Sequence, residues 1–241
     1  MAVNKIIIMF GQSYAVGRNA LALLPAEFAG VQLNLRVFNG TGFECIDSTV
    51  NNNQYGAPSS QFSYEYNLGG LQGVVNEDIY LLKYAIGGTK LFDSGETWNA
   101  ARVDTLFNNL KSHITSTIAW MDGRDKDYEF FGAIWDQGQS DANTLSYANA
   151  YEANQNALIT ALDAYIGTPL FWYITQLNDL DSRTYQTTVK DAKIASVAAD
   201  TTKRRLISAD GVTLGVDGIH PSVAGNELTG SRITAAILND L

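Results

Sequence analysis

The segment that decides the predicted fold lies at residues 5–13: Lys5-Ile6-Ile7-Ile8-Met9-Phe10-Gly11-Gln12-Ser13. Five apolar residues follow one another here, without the alternation that a strand with one solvated face would show. Unbroken apolar runs of this length are typical of strands that are buried on both faces of a parallel sheet. The segment therefore predicts a central parallel strand that ends in a glycine and a serine.

Four further apolar runs resemble the first, and helical patterns lie between them. The runs cover residues 78–86, 129–135, 169–175 and 205–208. Apolar residues recur every three or four positions over four segments, which predicts amphipathic helices at residues 101–121, 147–166, 187–199 and 222–241. Strands alternating with helices imply right-handed crossovers, and hence an α/β fold with a five-stranded, doubly wound parallel sheet.

Residues 38–75 interrupt this pattern, because they are rich in Gly, Asn, Gln, Ser and Tyr and show no clear period. A long irregular segment inside a compact domain usually lines a site, although a solvated insertion is an equal alternative. Its aromatic residues could stack on a polysaccharide or simply pack: Phe38, Phe43, Tyr55, Phe62, Tyr64 and Tyr66. A length of 241 residues predicts a single domain, 1–241, with a loop-rich insertion at about 38–75.

Composition excludes several classes of function. The net charge of −9 and a pI near 4.6 argue against nucleic acid as a partner, since phosphate binding needs a basic face. The one cysteine, Cys45, cannot form an intramolecular disulfide. No apolar run approaches the roughly twenty residues that span a bilayer, and the amino terminus has no signal-peptide pattern. We expect a soluble protein with no membrane partner, whose compartment and oligomeric state the sequence does not reveal.

Three residues from opposite ends of the chain carry the groups of a nucleophile, a base and an orienting acid. Ser13 follows the first predicted strand at its carboxyl end, where ligands bind in open α/β sheets. His220 lies three residues after Asp217, across an Asp-Gly turn. An imidazole can take the serine proton and return it to the leaving group, while a carboxylate holds the ring in the right tautomer. The other histidine, His113, falls within a predicted helix and is expected to be an ordinary packed or surface residue.

Polar groups also follow the second and third predicted strands, on the same edge of the sheet as Ser13. Gln137 follows the third strand, and its amide could donate to a developing oxyanion without ionising. Gly87 and Gly88 follow the second strand, where backbone amides could approach a ligand closely. Asp136 competes with Asp217 as the orienting acid but lacks its short tether to a histidine. Ser140 or Asp141 is expected to cap the next helix.

Two familiar motifs are missing from the sequence. It contains no Gly-x-Ser-x-Gly elbow, which argues against an ordinary α/β-hydrolase. The paired glycines at 87 and 88 lack the dinucleotide fingerprint and follow the second strand rather than the first, so no nicotinamide cofactor is expected.

Four short motifs together resemble those of a known family. Residues 11–18 match Gly-Gln-Ser-Asn-Met-x-Gly-Arg at five positions, Gly11, Gln12, Ser13, Gly17 and Arg18. Three later blocks match Gly-Gly-Thr, Trp-x-Gln-Gly-Glu-x-Asp and Asp-x-x-His-Pro, through Gly87, Gly88, Thr89, Trp135, Gln137, Gly138, Asp141, Asp217, His220 and Pro221. In content and order these blocks resemble the SGNH (GDSL-like) hydrolases, most closely carbohydrate esterase family 6 and the sialate O-acetylesterases.

The resemblance implies a flavodoxin-like three-layer sandwich and a serine esterase that uses no metal or cofactor. Ser13 would be the nucleophile, His220 the base and Asp217 its orienting acid. The backbone amides of Ser13 and Gly87 and the side chain of Gln137 would form the oxyanion hole. The implied reaction removes an O-acetyl group from a saccharide, the expected partner.

Two departures from the family pattern matter for function, and two other functions stay open. Tyr14 replaces the usual Asn beside the nucleophile, and Gln139 replaces the usual Glu. We expect catalysis to survive both changes and substrate preference to differ. A lipid or thioester hydrolase of the same superfamily would need an apolar acyl groove. A carbohydrate-binding module on an esterase scaffold would bind a glycan without turning it over.

Overall fold

The computed structural model describes residues 3–50, 52–53, 60–73 and 78–241. The strands are β1 (Asn4–Gly11), β2 (Asn19–Ala20), β3 (Val31–Phe38), β4 (Phe43–Asp47), β5 (Gln61–Phe62), β6 (Ile79–Ala85), β7 (Tyr128–Asp136), β8 (Phe171–Thr175) and β9 (Arg204–Ile207). The α-helices are α1 (Ser13–Val16), α2 (Leu106–Asp122), α3 (Leu145–Ile166), α4 (Gln186–Ala198) and α5 (Val223–Asp240). Short 3₁₀ helices form at Leu21–Leu23, Ala26–Phe28, Glu65–Gly73 and Asp141–Asn143.

Seven strands form the main sheet, in the order β4-β3-β6-β1-β7-β8-β9. Every neighbouring pair is parallel except β3 and β4, which are antiparallel. The strands β2 and β5 make a separate two-residue antiparallel pair. The predicted α/β fold is confirmed, and β1, β6, β7, β8 and β9 are the five strands that the apolar runs predicted.

The predicted number of strands was too low, because β3 and β4 extend the sheet beyond β6. Apolar and polar residues alternate along β3, unlike the unbroken runs of the other strands. Two of its apolar side chains are exposed, Val31 by 52% and Leu33 by 70%, whereas Leu35 and Val37 are buried. Such a strand, next to the edge strand β4 and partly solvated, leaves no unbroken apolar run in the sequence.

The sheet is the middle one of three layers, as alternate residues of β1 show. Ile6, Ile8 and Phe10 pack in a core with side chains from α2, α3 and α4. Ile7 and Met9 face the opposite side and pack with α5 and with the 3₁₀ helix at Glu65–Gly73. Successive residues of a strand point to opposite faces, so the apolar run of β1 supplies both cores. Among the helices in the described part of the chain, none is long and apolar enough to cross a membrane.

The predicted loop-rich insertion contains β4, β5 and the 3₁₀ helix at Glu65–Gly73. Five of its aromatic side chains are buried, each at most 8% exposed: Phe38, Phe43, Phe62, Tyr64 and Tyr66. These five belong to the hydrophobic cores, so the alternative of packing is correct for them and stacking on a polysaccharide is not. Tyr55 lies outside the described residues.

Candidate active site

Ser13 is the first residue of α1, immediately beyond the carboxyl end of β1, and its exposed fraction is 8%. The turn into this helix depends on Gly11, which has a φ of +137°. A Cβ atom at this position would lie 2.0 Å from the carbonyl oxygen of Asp136. Only glycine tolerates that approach, so it lets the ends of β1 and β7 come together beneath the serine.

The order of the strands brings the predicted site residues to one edge of the sheet. β1 lies between β6 and β7, so the segments that follow them place Gly87 and Gln137 on either side of Ser13. The chain leaves β1 towards β3 and β4 and later continues on the other side through β7, β8 and β9. Ligands bind in open α/β sheets at such a switch point. The segment between β9 and α5 carries Asp217 and His220.

Asp217 and His220 form a tightly bonded pair. The Nδ1 atom of His220 lies 2.6 Å from Oδ2 of Asp217, and Oδ1 accepts the backbone N–H groups of Ile219 and His220, both at 2.9 Å. The bond to the His220 side chain is the largest cause that lowers the pKa of Asp217 to about 2. An ionised carboxylate at Nδ1 keeps the proton on that nitrogen and leaves Nε2 as the acceptor. This is the tautomer that a base for serine needs.

The turn around the pair is closed by its own backbone. The N–H of Gly218 donates to the carbonyl of Gly215 at 3.0 Å, and the N–H of Gly215 donates to the carbonyl of His220 at 2.7 Å. Directly afterwards, the hydroxyl of Ser222 caps α5 by accepting the N–H of Gly225 at 3.1 Å. His220 is therefore held between a tight turn and the start of a helix.

The three predicted oxyanion donors differ in their surroundings. The N–H groups of Ser13 and Gly87 have no hydrogen-bond acceptor within the described ranges, so both are available. Gln137 is fully buried, and its amide nitrogen donates to Asp141 Oδ2 at 2.6 Å and to the carbonyl of Thr89 at 3.1 Å. Its side chain would have to give up these bonds to reach an oxyanion, and its role stays a prediction.

Two buried residues organise this edge in ways that the sequence did not indicate. Gln12 accepts the amide of Gln137 at 3.1 Å and also the backbone N–H groups of Gly138 and Ser140. Asp141 accepts the N–H groups of Leu91 and Phe92 at 3.0 and 2.9 Å, so it joins two loops. The predicted cap by Ser140 or Asp141 is wrong, because neither side chain caps the 3₁₀ helix at Asp141–Asn143 or α3. Gln12 lies inside the recognised motif, but its partners are remote in sequence.

Asp136, the alternative orienting acid, and His113, the other histidine, take no part in the Asp217–His220 pair. The carboxylate of Asp136 is buried and accepts the hydroxyl of Tyr64 at 3.0 Å. His113 is half-buried and packs against Phe38 and Tyr84, with ring centroids 6.0 and 4.9 Å away, as predicted. Burial lowers the pKa of His113, which suits a neutral packing residue.

A groove of about 580 Å³ runs along the exposed side of His220 and Asp217, and Arg18 is one of its walls. A methyl group on Gly87 would lie 2.6 Å from Nη2 of Arg18 and 3.6 Å from Cβ of Ser13. The guanidinium is therefore a close neighbour of the nucleophile. No carboxylate of residues 3–50, 52–53, 60–73 or 78–241 pairs with it. Nor do three His, Cys, Asp or Glu side chains of these residues cluster as metal ligands would.

One family model and several solved structures match nearly the whole chain. The family model described as carbohydrate esterase, sialic acid-specific acetylesterase matches residues 3–239. A protein of Arabidopsis thaliana has a similar structure, with a TM-score of 0.81 and 19% identity, and 98% of each chain is covered. The structure named NanS gives 0.70 and 13%, covering 99% of this chain and 97% of that one.

A carbohydrate acetylesterase of Xanthomonas citri is also similar, with a TM-score of 0.66 and 18% identity. The alignment covers 96% of this chain and 55% of that one. No curated protein sequence matches this chain.

Proposed function

This chain belongs to the carbohydrate esterase family of sialic acid-specific acetylesterases, and we propose that it removes O-acetyl groups from a saccharide with Ser13, His220 and Asp217 as its catalytic triad. The observation that carries the proposal is the 2.6 Å contact between His220 Nδ1 and Asp217 Oδ2. This contact leaves Nε2 free to take a proton from a serine.

The reaction proceeds through an acyl-enzyme. His220 takes the proton of the Ser13 hydroxyl while the serine oxygen attacks the acetyl carbonyl. The tetrahedral oxyanion is stabilised by the available N–H groups of Ser13 and Gly87. The ester bond then breaks, His220 protonates the departing sugar oxygen, and the acetyl group stays on Ser13. A water molecule, deprotonated by His220, attacks this acetyl group and releases acetate, which restores the serine.

The groove beside His220 takes the sugar. Since His220 must protonate the leaving oxygen, the leaving group lies on the side of the imidazole, where Arg18 is the uncompensated positive charge. Asp217 is engaged by its three hydrogen bonds within the turn. A guanidinium fork binds carboxylates in a bidentate manner. Arg18 therefore favours a sugar that bears a carboxylate, in keeping with the sialic acid named for the family.

The test is hydrolysis of 4-nitrophenyl acetate, butyrate and octanoate by the wild type and by Ser13→Ala, with a chelator present. We expect the highest kcat/KM on acetate and a loss on the order of 10⁶ in kcat for Ser13→Ala. Release of acetate from an O-acetylated sialic acid and from an O-acetylated neutral sugar then defines the saccharide.

Each alternative makes a different prediction in these assays. Activity that rises towards octanoate would indicate a lipid or thioester hydrolase instead. Glycan binding by a folded protein without turnover of any ester would indicate a binding module. Equal activity of the wild type and Ser13→Ala would contradict the role of the serine.

A further inference from the structure

We propose that Tyr14 and Asn19 are positioning residues that hold His220 towards Ser13, an inference that rests on the proposed function. Both belong to the segment that begins with the nucleophile. The hydroxyl of Tyr14 donates to the carbonyl of Ile219, and the amide of Asn19 donates to the carbonyl of Pro221 at 3.0 Å. These two bonds reach the residues immediately before and after His220. We call Tyr14 and Asn19 together the histidine clamp.

The turn that carries His220 does not fix its own position relative to Ser13. Its bonds join Asp217 to His220 and Gly215 to His220, and the Ser222 N–H reaches back only to the carbonyl of Thr213. All of these lie within residues 213–222, so they set the imidazole against Asp217 but make no contact with the segment of the nucleophile. The histidine clamp connects this unit to the segment of the nucleophile.

Tyr14 is suited to this role by its rigidity. Its side chain is 6% exposed, and its ring centroid lies 5.8 Å from that of His220 with an interplanar angle of 59°. The hydroxyl of Ser63 donates to the Tyr14 carbonyl at 2.5 Å, which holds the backbone of α1 from the other side. Burial raises the pKa of the Tyr14 hydroxyl, so this donor keeps its proton at every pH where an esterase works.

The position of the clamp explains how the chain accommodates its departure from the family pattern. The residue after the nucleophile is Asn in the family and Tyr14 here. The longer side chain reaches across to the histidine turn, 205 residues away in sequence. Tyr14 thus helps to position His220, although it departs from the family motif.

The test compares Tyr14→Phe, Asn19→Ala and the double variant with the wild type, using 4-nitrophenyl acetate and the melting temperature. A displacement of 1 Å in a catalytic group can cost about 10²-fold in rate. We expect each single variant to lose about 10-fold in kcat with KM within about twofold, because binding is unchanged while the base is misplaced. Since each bond alone still restrains the turn in part, the double variant should lose more than the product of the single losses.

The matched control is Tyr173→Phe, which removes the hydroxyl of another buried tyrosine, one that donates to Asp240 at 3.2 Å. It should lose stability to a similar degree and keep the wild-type kcat. If Tyr14→Phe lowers only the melting temperature and matches Tyr173→Phe in kcat, the positioning role is wrong although the proposed function stands. If the wild type is no more active than Ser13→Ala, the proposed function fails and this inference fails with it.

Discussion

The Asp217 carboxylate accepts three hydrogen bonds from residues that lie within three positions of it in the chain. Such bonds stabilise the charged form of a carboxylate, which agrees with its pKa of about 2. Because the pKa is below the value of about 4 expected in the unfolded chain, any stabilisation from this group is complete above pH 4. It is lost as the pH falls towards 2, so a decline of activity between pH 7 and pH 5 would not come from Asp217.

We predict that Asp217→Asn impairs catalysis. The amide cannot hold the proton on Nδ1 of His220 as a carboxylate does, so the imidazole loses the tautomer that accepts a proton at Nε2. We expect kcat to fall by ~10²–10⁴ with little change in KM. The measurement is kcat on 4-nitrophenyl acetate at pH 7.

Asp210→Asn is the control, because Asp210 is exposed and lies in the same segment between β9 and α5. It should keep wild-type kcat. A kcat for Asp217→Asn within threefold of that control would show that His220 does not depend on this carboxylate.

At the scale of the residue, the sequence predicts what is local and misses what is remote. Asp217 and His220 are three positions apart, so their contact follows from the motif. Gln12 adjoins Ser13, but its side-chain partner Gln137 is 125 positions away, and no local pattern reveals that bond. The same holds for Tyr14, whose partner carbonyl comes from the opposite end of the chain.

At the scale of the element, a buried ion pair joins β6 to the insertion. Nζ of Lys83 lies 2.9 Å from Oε2 of Glu65, and both side chains are fully buried. The ammonium also donates to the carbonyl of Val16 at the end of α1, at 3.0 Å. Lys83 thereby ties the helix of the nucleophile to the 3₁₀ helix that begins at Glu65. A lysine inside an apolar run gives no sign of this in the sequence, since its partner lies in the irregular segment.

We predict that Lys83→Met destabilises the protein strongly. Removing one member of a buried pair leaves the other charge without compensation, which typically costs ~3–5 kcal/mol. The measurement is the free energy of unfolding in urea at pH 7. The double variant Lys83→Met with Glu65→Gln removes both charges and should recover most of the loss. A single variant as stable as the wild type would mean that the pair does not hold these elements together.

At the scale of the whole molecule, one sheet supports both cores and the candidate site. The central strands β6, β1 and β7 were predictable because each is apolar along its length and buried on both faces. The hairpin of β3 and β4 was not, since its alternating pattern resembles a solvated segment. The site follows from the sheet, because three adjacent parallel strands must end at the same edge. The segments that follow these strands bring together Ser13, Gly87 and Gln137.

Covalent labelling shows whether Ser13 is the nucleophile at this edge of the sheet. The protein is incubated with a fluorophosphonate, which phosphonylates an activated serine with loss of fluoride, and the modified peptide is identified by mass spectrometry. We predict one adduct per chain, located on Ser13, with esterase activity lost in proportion to labelling. An adduct on another residue, or full activity in protein labelled at Ser13, would contradict the account.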